Sequence, residues 1–95
     1  MNEQKYAVIT AYLAEKFSGC PIEQKHDSSR MAQSFKIHVI DTTLLLKVSD
    51  EFVGDNDIPK ILHLLNLWAL AEILGKEKEL GVLVSQGGLE LFPRE

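Results

Sequence analysis

DIPKILHLLNLWALAEILG, residues 57–75, is the segment around which the remaining elements of the chain can be arranged. Asp57 is a favoured N-cap residue, and Pro59 suits the first turn of a helix, where its missing N–H costs nothing. No helix-breaking residue then occurs before Gly75, which is a typical residue at the C-terminal end of a helix. These features predict one continuous helix over residues 57–75.

This predicted helix is apolar on nearly every side. At about 100° per residue, one face gathers side chains that can cover a sheet: Ile61, Leu64, Leu67, Trp68, Ala71 and Leu74. The nearly opposite face carries a second apolar row, the helix seam, which consists of Ile58, Leu62, Leu65, Ala69 and Ile73. Steps of three and four residues are typical of helix–helix contacts. The seam therefore predicts cover by the first helix of the same chain, by a second copy of the chain, or by another protein.

Length and composition predict one soluble domain over residues 1–95, because 95 residues with 45% hydrophobic content can bury a single core. Cys20 is the only cysteine, and no apolar signal segment is recognised at the start, so we expect a cytoplasmic protein without disulfides. The formal net charge of −4 argues against binding to nucleic acid or to anionic lipid. Polar residues within 57–75 argue against a membrane span.

The segments before the long helix predict a helix and a hairpin. Apolar residues recur at helical spacing over residues 3–18, and Gly19 ends that helix. Residues 22–26 are consistent with a short edge strand. Residues 34–40 and 43–49 predict a hairpin in which a two-residue loop at Asp41-Thr42 would place Ile37 opposite Leu46 on a wholly apolar face. Asp-Thr is not a favoured pair for such a turn, so a loop one residue longer or a bulge is the alternative. After the long helix, residues 81–85 and 89–92 predict a second hairpin around Gln86-Gly87-Gly88.

The other face of the first hairpin carries the candidate ligand-binding residues Lys36, His38 and Lys47. In the predicted register the two lysines would lie directly opposite each other, which is mildly unfavourable. This face is therefore either solvated or neutralised by an acidic group from a neighbour or a ligand.

Patterns of catalysis and metal binding are absent from the sequence. The acidic residues before the long helix do not follow the calcium-loop pattern, and capping explains their position. The histidines His26, His38 and His63 lie on three different predicted elements. Phosphate loops, dinucleotide fingerprints and nucleophile elbows are not found. We expect a non-enzymatic protein with no cofactor and no metal.

The predicted order is helix, two or three strands, long helix and C-terminal hairpin, an α+β fold with its helices on one face of an antiparallel sheet. The first part of this order is similar to a double-stranded RNA-binding domain, but Asp55, Asn56 and Asp57 stand where that family carries lysines. The whole order, with its acidic composition, resembles the small dimeric chaperones of type III secretion. Residues 46–52, LKVSDEF, are also similar to small bacterial proteins with no assigned function.

The resemblance to secretion chaperones implies a homodimer that holds another polypeptide. Our leading hypothesis is accordingly a protein-interaction or chaperone-like module that self-associates through the helix seam. The alternative is a small-ligand or nucleic-acid-binding domain that uses the exposed sheet face at Lys36, His38 and Lys47.

Overall fold

The computed structural model describes residues 3–93, and these residues form an α+β fold with a mixed five-stranded sheet and four helices. The elements in chain order are α1 Glu3–Lys16, β1 Ile22–Asp27, β2 Ala32–His38, β3 Thr43–Ser49, α2 Asp50–Asp55, α3 Ile58–Leu67, α4 Leu70–Lys76, β4 Leu80–Ser85 and β5 Gly88–Pro93. The α+β class, the first helix, the edge strand β1 and the C-terminal hairpin are as the sequence predicts.

The strands lie in the order β1-β2-β3-β4-β5, and all neighbours are antiparallel except β3 and β4, which are parallel. The prediction of an antiparallel sheet was therefore wrong at its centre. The reason is the connection between β3 and β4, which passes through three helices. A crossover of this length can return the chain to the starting end of the sheet, as a parallel pair requires.

The hairpin of β2 and β3 differs from the predicted register by two residues. Ile37 pairs with Leu44 rather than Leu46, and the loop contains residues 39–42. The N–H of Val39 donates to the carbonyl of Thr42 at 3.0 Å and closes this loop. Asp-Thr is a poor pair for a two-residue turn, which favours the longer loop. Because the shift is even, each side chain keeps its predicted face.

The predicted long helix is broken. α3 and α4 are bent by 46° relative to each other, and between them Ala69 has a left-handed backbone with φ 50° and ψ 49°. A further short helix, α2, precedes them, since the Ser49 hydroxyl accepts the N–H of Phe52 at 3.0 Å and caps its first turn. The prediction of one continuous helix over 57–75 was therefore wrong, although its N-cap at Asp57 is confirmed by the 2.9 Å bond from the Lys60 N–H.

The bend is held by a tyrosine from α1. The Tyr12 hydroxyl lies 3.4 Å from the carbonyl of Leu65, to which it donates, and 3.3 Å from the N–H of Ala71, from which it accepts. These two backbone groups belong to the last turn of α3 and the first turn of α4. Tyr12 thus satisfies backbone groups on both sides of the break.

The core lies between the helices and one face of the sheet. The helices contribute Ile9, Leu13, Phe52, Val53, Ile61, Leu65, Leu70 and Leu74, and the sheet contributes Phe35, Ile37, Leu44, Leu46, Val48, Val82 and Val84. In each of β2 to β4 these sheet residues alternate with more exposed ones. The opposite side of the sheet, which we call the open face, carries no helix from residues 3–93.

Candidate functional site

The helix seam is partly buried by other residues of the same chain. Leu65 is fully buried, while Leu62 and Ile73 are half-buried and pack against the core. Ile58 is half-buried at the start of α3, and Ala69 occupies the bend. α1 packs against α3, so the first helix covers part of this side.

Leu67 is the exposed apolar residue of the helix layer. The sequence pattern predicted that it would face the sheet, but its side chain is 65% exposed. The bend explains the difference, because the helix ends at Leu67 and the chain turns at once into α4. A leucine on the surface beside half-buried Leu64 and Trp68 forms an apolar area that no other part of residues 3–93 covers.

The open face brings two of the predicted ligand-binding residues, Lys36 and Lys47, into two adjoining rows of side chains, while His38 pairs with Thr43 in the next row. One row crosses the sheet as Lys25, Ser34, Lys47, Leu83 and Glu90, and the next as Glu23, Lys36, Leu45, Gly81 and Phe92. Lys36 therefore pairs with Leu45 and Lys47 with Ser34, so the predicted direct opposition of two lysines does not occur. The two-residue change in register moves them to diagonal positions.

Two adjoining grooves on the open face share Lys36, Leu45 and Lys47, and together we call them the lysine groove. One has a volume of about 510 Å³ and also includes Lys25 and Ser34 in its lining. The other has a volume of about 320 Å³ and is bordered by Arg30, Thr43, Phe92 and Pro93 as well. Within residues 3–93, none of the three lysine ammonium groups forms an ion pair.

The carboxylates beside the lysine groove are already engaged. Glu23 lies 2.7 Å from Nε2 of His38, whose Nδ1 lies 3.2 Å from the Thr43 hydroxyl. Asp27 accepts a 2.7 Å hydrogen bond from the Ser29 hydroxyl and lies 3.8 Å from Nε of Arg30. The hydrogen bond from Ser29 is the main cause that lowers the pKa of Asp27, with a smaller contribution from the charge of Lys47. His38 thus already contacts Glu23 and Thr43, while the ammonium groups of the three lysines can still pair with a ligand.

Phe92 forms one wall of the lysine groove, and its ring contacts Gly81 and Lys47. Its ring lies directly over Gly81, where an added Cβ would come within 2.2 Å of the ring. The Lys47 ammonium lies 5.5 Å from the ring centroid. The ammonium of Lys47 makes a cation–π contact with this ring, and any side chain at position 81 would displace the ring from its place over the sheet.

A second polar cluster lies on the helix side of the sheet. The Tyr6 hydroxyl donates to one oxygen of Asp50, and Nε2 of His26 lies 2.9 Å from the other. Partial burial acts to raise the pKa of Asp50, but the two hydrogen bonds outweigh it and the pKa falls below 3.8. Burial and the neighbouring carboxylate raise the pKa of Tyr6 well above 10.0. The cluster joins α1, β1 and α2, and we assign it a structural role.

Sequence reasoning missed three members of these surfaces, which are Lys25, Ser34 and the surface position of Leu67. Lys25 and Ser34 could have been found from the pairing of β1 with β2, since they share a row with Lys47. The alternation of the edge strand was too weak to fix that pairing, because only its ends are half-buried.

Comparison with known proteins assigns no family to the chain. No family model matches it, and neither does any curated protein or solved structure. Within residues 3–93, no group of three or more His, Cys, Asp or Glu side chains is placed to hold a metal ion. In the same range no single helix has the length and apolar content of a membrane span. Among the described residues, only α3 and α4 taken together, as a bent pair, have that length and apolar content.

Proposed function

We propose that the chain is a non-enzymatic interaction protein that self-associates through its helix layer and holds another polypeptide in a chaperone-like manner. The observation that carries this proposal is the exposed side chain of Leu67. An isolated surface leucine is ordinary, but this one adjoins half-buried apolar residues along α3 and α4. The proposed contact is centred on Leu67 with the half-buried Leu64 and Trp68 beside it. A second part of it, which is tested separately, consists of the half-buried seam residues Ile58, Leu62 and Ile73.

Leu65 belongs to the helix seam but does not touch the partner in the proposed contact. Its side chain is fully enclosed by the chain itself, so it supports the position of α3 rather than touching a partner. Placing a charge there would bury an unpaired carboxylate and unfold the protein. Leu65 is therefore unsuitable for testing self-association, and the test must use residues whose side chains reach the surface.

The test is charge insertion at Leu67 and Leu62, measured by size-exclusion chromatography with light scattering and by thermal unfolding. We expect Leu67→Glu to convert a dimer into a monomer while the melting temperature stays within a few degrees, because position 67 is exposed in one chain. Leu62→Glu distinguishes cover of the seam by a second copy of the chain from cover by α1. Loss of the dimer with retained folding places Leu62 in the contact, whereas unfolding places it under α1 alone.

Ala14→Glu is the matched control, because it adds the same carboxylate at an exposed position of α1. It should leave the dimer intact. An equal loss of the dimer in this control and in Leu67→Glu would contradict a specific contact on α3 and α4, and would point to general charge repulsion.

A second candidate function is ligand binding on the open face at Lys36 and Lys47, with His38 holding Glu23 beside them. The observation that favours it is the set of ammonium groups without ion pairs in the lysine groove. This function does not depend on self-association, since the helix layer and the open face are opposite sides of the sheet.

A further inference from the structure

The lysine groove has a local charge opposite to that of the whole chain. Its lining includes four cationic side chains, Lys25, Arg30, Lys36 and Lys47, on a protein with a formal net charge of −4. The two carboxylates of the lining, Glu23 and Asp27, are engaged by His38 and by Ser29 with Arg30. These contacts do not remove the charges of the two carboxylates, but four cationic side chains against two carboxylates leave the lining net positive at neutral pH, and it therefore attracts an anionic ligand.

The distribution of cations along the groove favours an extended ligand over a compact one. The cations are spread over two adjoining cavities rather than converging on one point. Lys25 and Lys47 lie in the same row two strands apart, about 10 Å between their backbones, and Lys36 lies one row further along. Acidic residues at alternate positions of an extended peptide present carboxylates about 7 Å apart. Lys36 is the diagonal neighbour of both Lys25 and Lys47, at about 7–8 Å, so the repeat of the peptide fits these spacings better than a single phosphate does.

The floor of the groove also suits a polypeptide. Leu45 is half-buried at the point where the two cavities meet, and Phe92 borders the second cavity. These apolar surfaces can contact the side chains that lie between carboxylates in a peptide. Single-stranded nucleic acid is bound by several aromatic side chains on which successive bases stack, whereas within residues 3–93 the two cavities are lined by only one Phe, Tyr or Trp side chain, that of Phe92, which already contacts Lys47.

We propose that the lysine groove binds an acidic polypeptide segment in extended conformation, with Lys25, Lys36 and Lys47 pairing with its carboxylates. This inference rests on the second candidate function, the use of the open face for binding, and it names the class of ligand. It is independent of the dimer, because none of these residues belongs to the helix layer.

The test uses fluorescence anisotropy of a labelled oligoglutamate of about ten residues, which spans about 33 Å when extended, with the full chain at low salt. We expect saturable binding that weakens as salt is added. The double variant Lys36→Gln, Lys47→Gln should bind roughly five- to tenfold more weakly, as the loss of two exposed ion pairs implies. Because Lys47 contacts Phe92, the double variant Lys25→Gln, Lys36→Gln repeats the test without that contact.

The matched control is the double variant Lys60→Gln, Lys76→Gln, which removes two exposed lysines of the helix layer. It should bind as the unaltered protein does. An equal loss of affinity in this control would overturn the assignment to the groove.

Inorganic tripolyphosphate and a single-stranded oligothymidylate serve as competing probes. If either displaces oligoglutamate at lower concentration and its own binding needs Lys36 and Lys47, the open face binds anions but the acidic polypeptide is the wrong class. If none of the three probes binds at low salt, both the polypeptide assignment and the second candidate function fail.

Discussion

Asp50 shows how single residues connect distant parts of this chain. It is the first residue of α2, where a negative charge is favourable, and its two oxygens meet Tyr6 from α1 and His26 from β1. The two contacts lie 44 and 24 residues away along the chain. One carboxylate thereby fixes the first helix and the edge strand against the start of the helix layer.

The ionised form of Asp50 should contribute to stability in a defined pH range. Because its folded pKa is below the ordinary value of 3.8, the contribution is full above about pH 5 and is lost as pH falls through the folded pKa. We expect Asp50→Asn to lower the free energy of unfolding by about 1 kcal/mol at pH 7, and we expect this difference to shrink below about pH 4. Urea unfolding followed by circular dichroism between pH 7 and pH 2.5 measures it.

The control for this titration is Asp41→Asn, which removes a carboxylate from an exposed loop position. It should change the free energy of unfolding by less than about 0.5 kcal/mol. A difference for Asp50→Asn that stays constant down to pH 2.5 would contradict the role of its ionised form.

At the level of elements, the bend between α3 and α4 shapes the helix layer. The Tyr12 hydroxyl satisfies backbone groups on both sides of it, and the left-handed backbone of Ala69 permits the change of direction. A residue other than glycine in this conformation carries a strain of about 1–2 kcal/mol. The bend is therefore maintained by packing of α1 rather than by the local preference of residues 67–70.

Replacing Ala69 by glycine tests the bend directly. Relief of left-handed strain should exceed the entropy that glycine adds to the unfolded chain, so Ala69→Gly should raise the free energy of unfolding by about 0.5–1 kcal/mol. The same change at Ala11, in the exposed middle of α1, should lower it by about 1 kcal/mol. Denaturant unfolding compares the two variants. A loss of about 1 kcal/mol at both positions would mean that residue 69 is helical and that α3 and α4 are continuous.

Sequence patterns can predict some of these elements but not others. The strand alternation around Phe35 and Leu46 and the cap at Asp57 depend on neighbours in the chain, and these were predicted. The bend depends on Tyr12, which is 53 residues from Leu65, and no local pattern contains that information. The parallel pairing of β3 and β4 was missed for a related reason, since it is decided by how the three intervening helices pack.

For the open face, sequence patterns predicted on which side of the sheet each lysine lies, but not which side chains lie next to it. Lys36 and Lys47 were placed on the correct side of the sheet because side chains alternate along a strand. Their diagonal relation, and the addition of Lys25 and Ser34 to the same surface, depend on strand registers that the short loops alone did not fix. Leu67 was assigned to the sheet because the helix was taken to be straight.

At the scale of the whole molecule, the sheet separates two surfaces of different character. The helix layer presents Leu67 and the half-buried residues of the helix seam, and the open face presents the lysine groove. An acidic chain with a positive groove on one side and an apolar area on the other can self-associate by one side and bind a partner by the other. This arrangement is the physical basis of the interaction function that we propose.

Native mass spectrometry of the purified full chain tests the proposed self-association most directly, because it counts subunits without any substitution. At about 10 µM protein, a concentration above a micromolar dissociation constant, we expect a main species of twice the 10.7 kDa of one chain. A main species of 10.7 kDa under the same conditions would contradict self-association through the helix layer, provided that circular dichroism shows the chain to be folded.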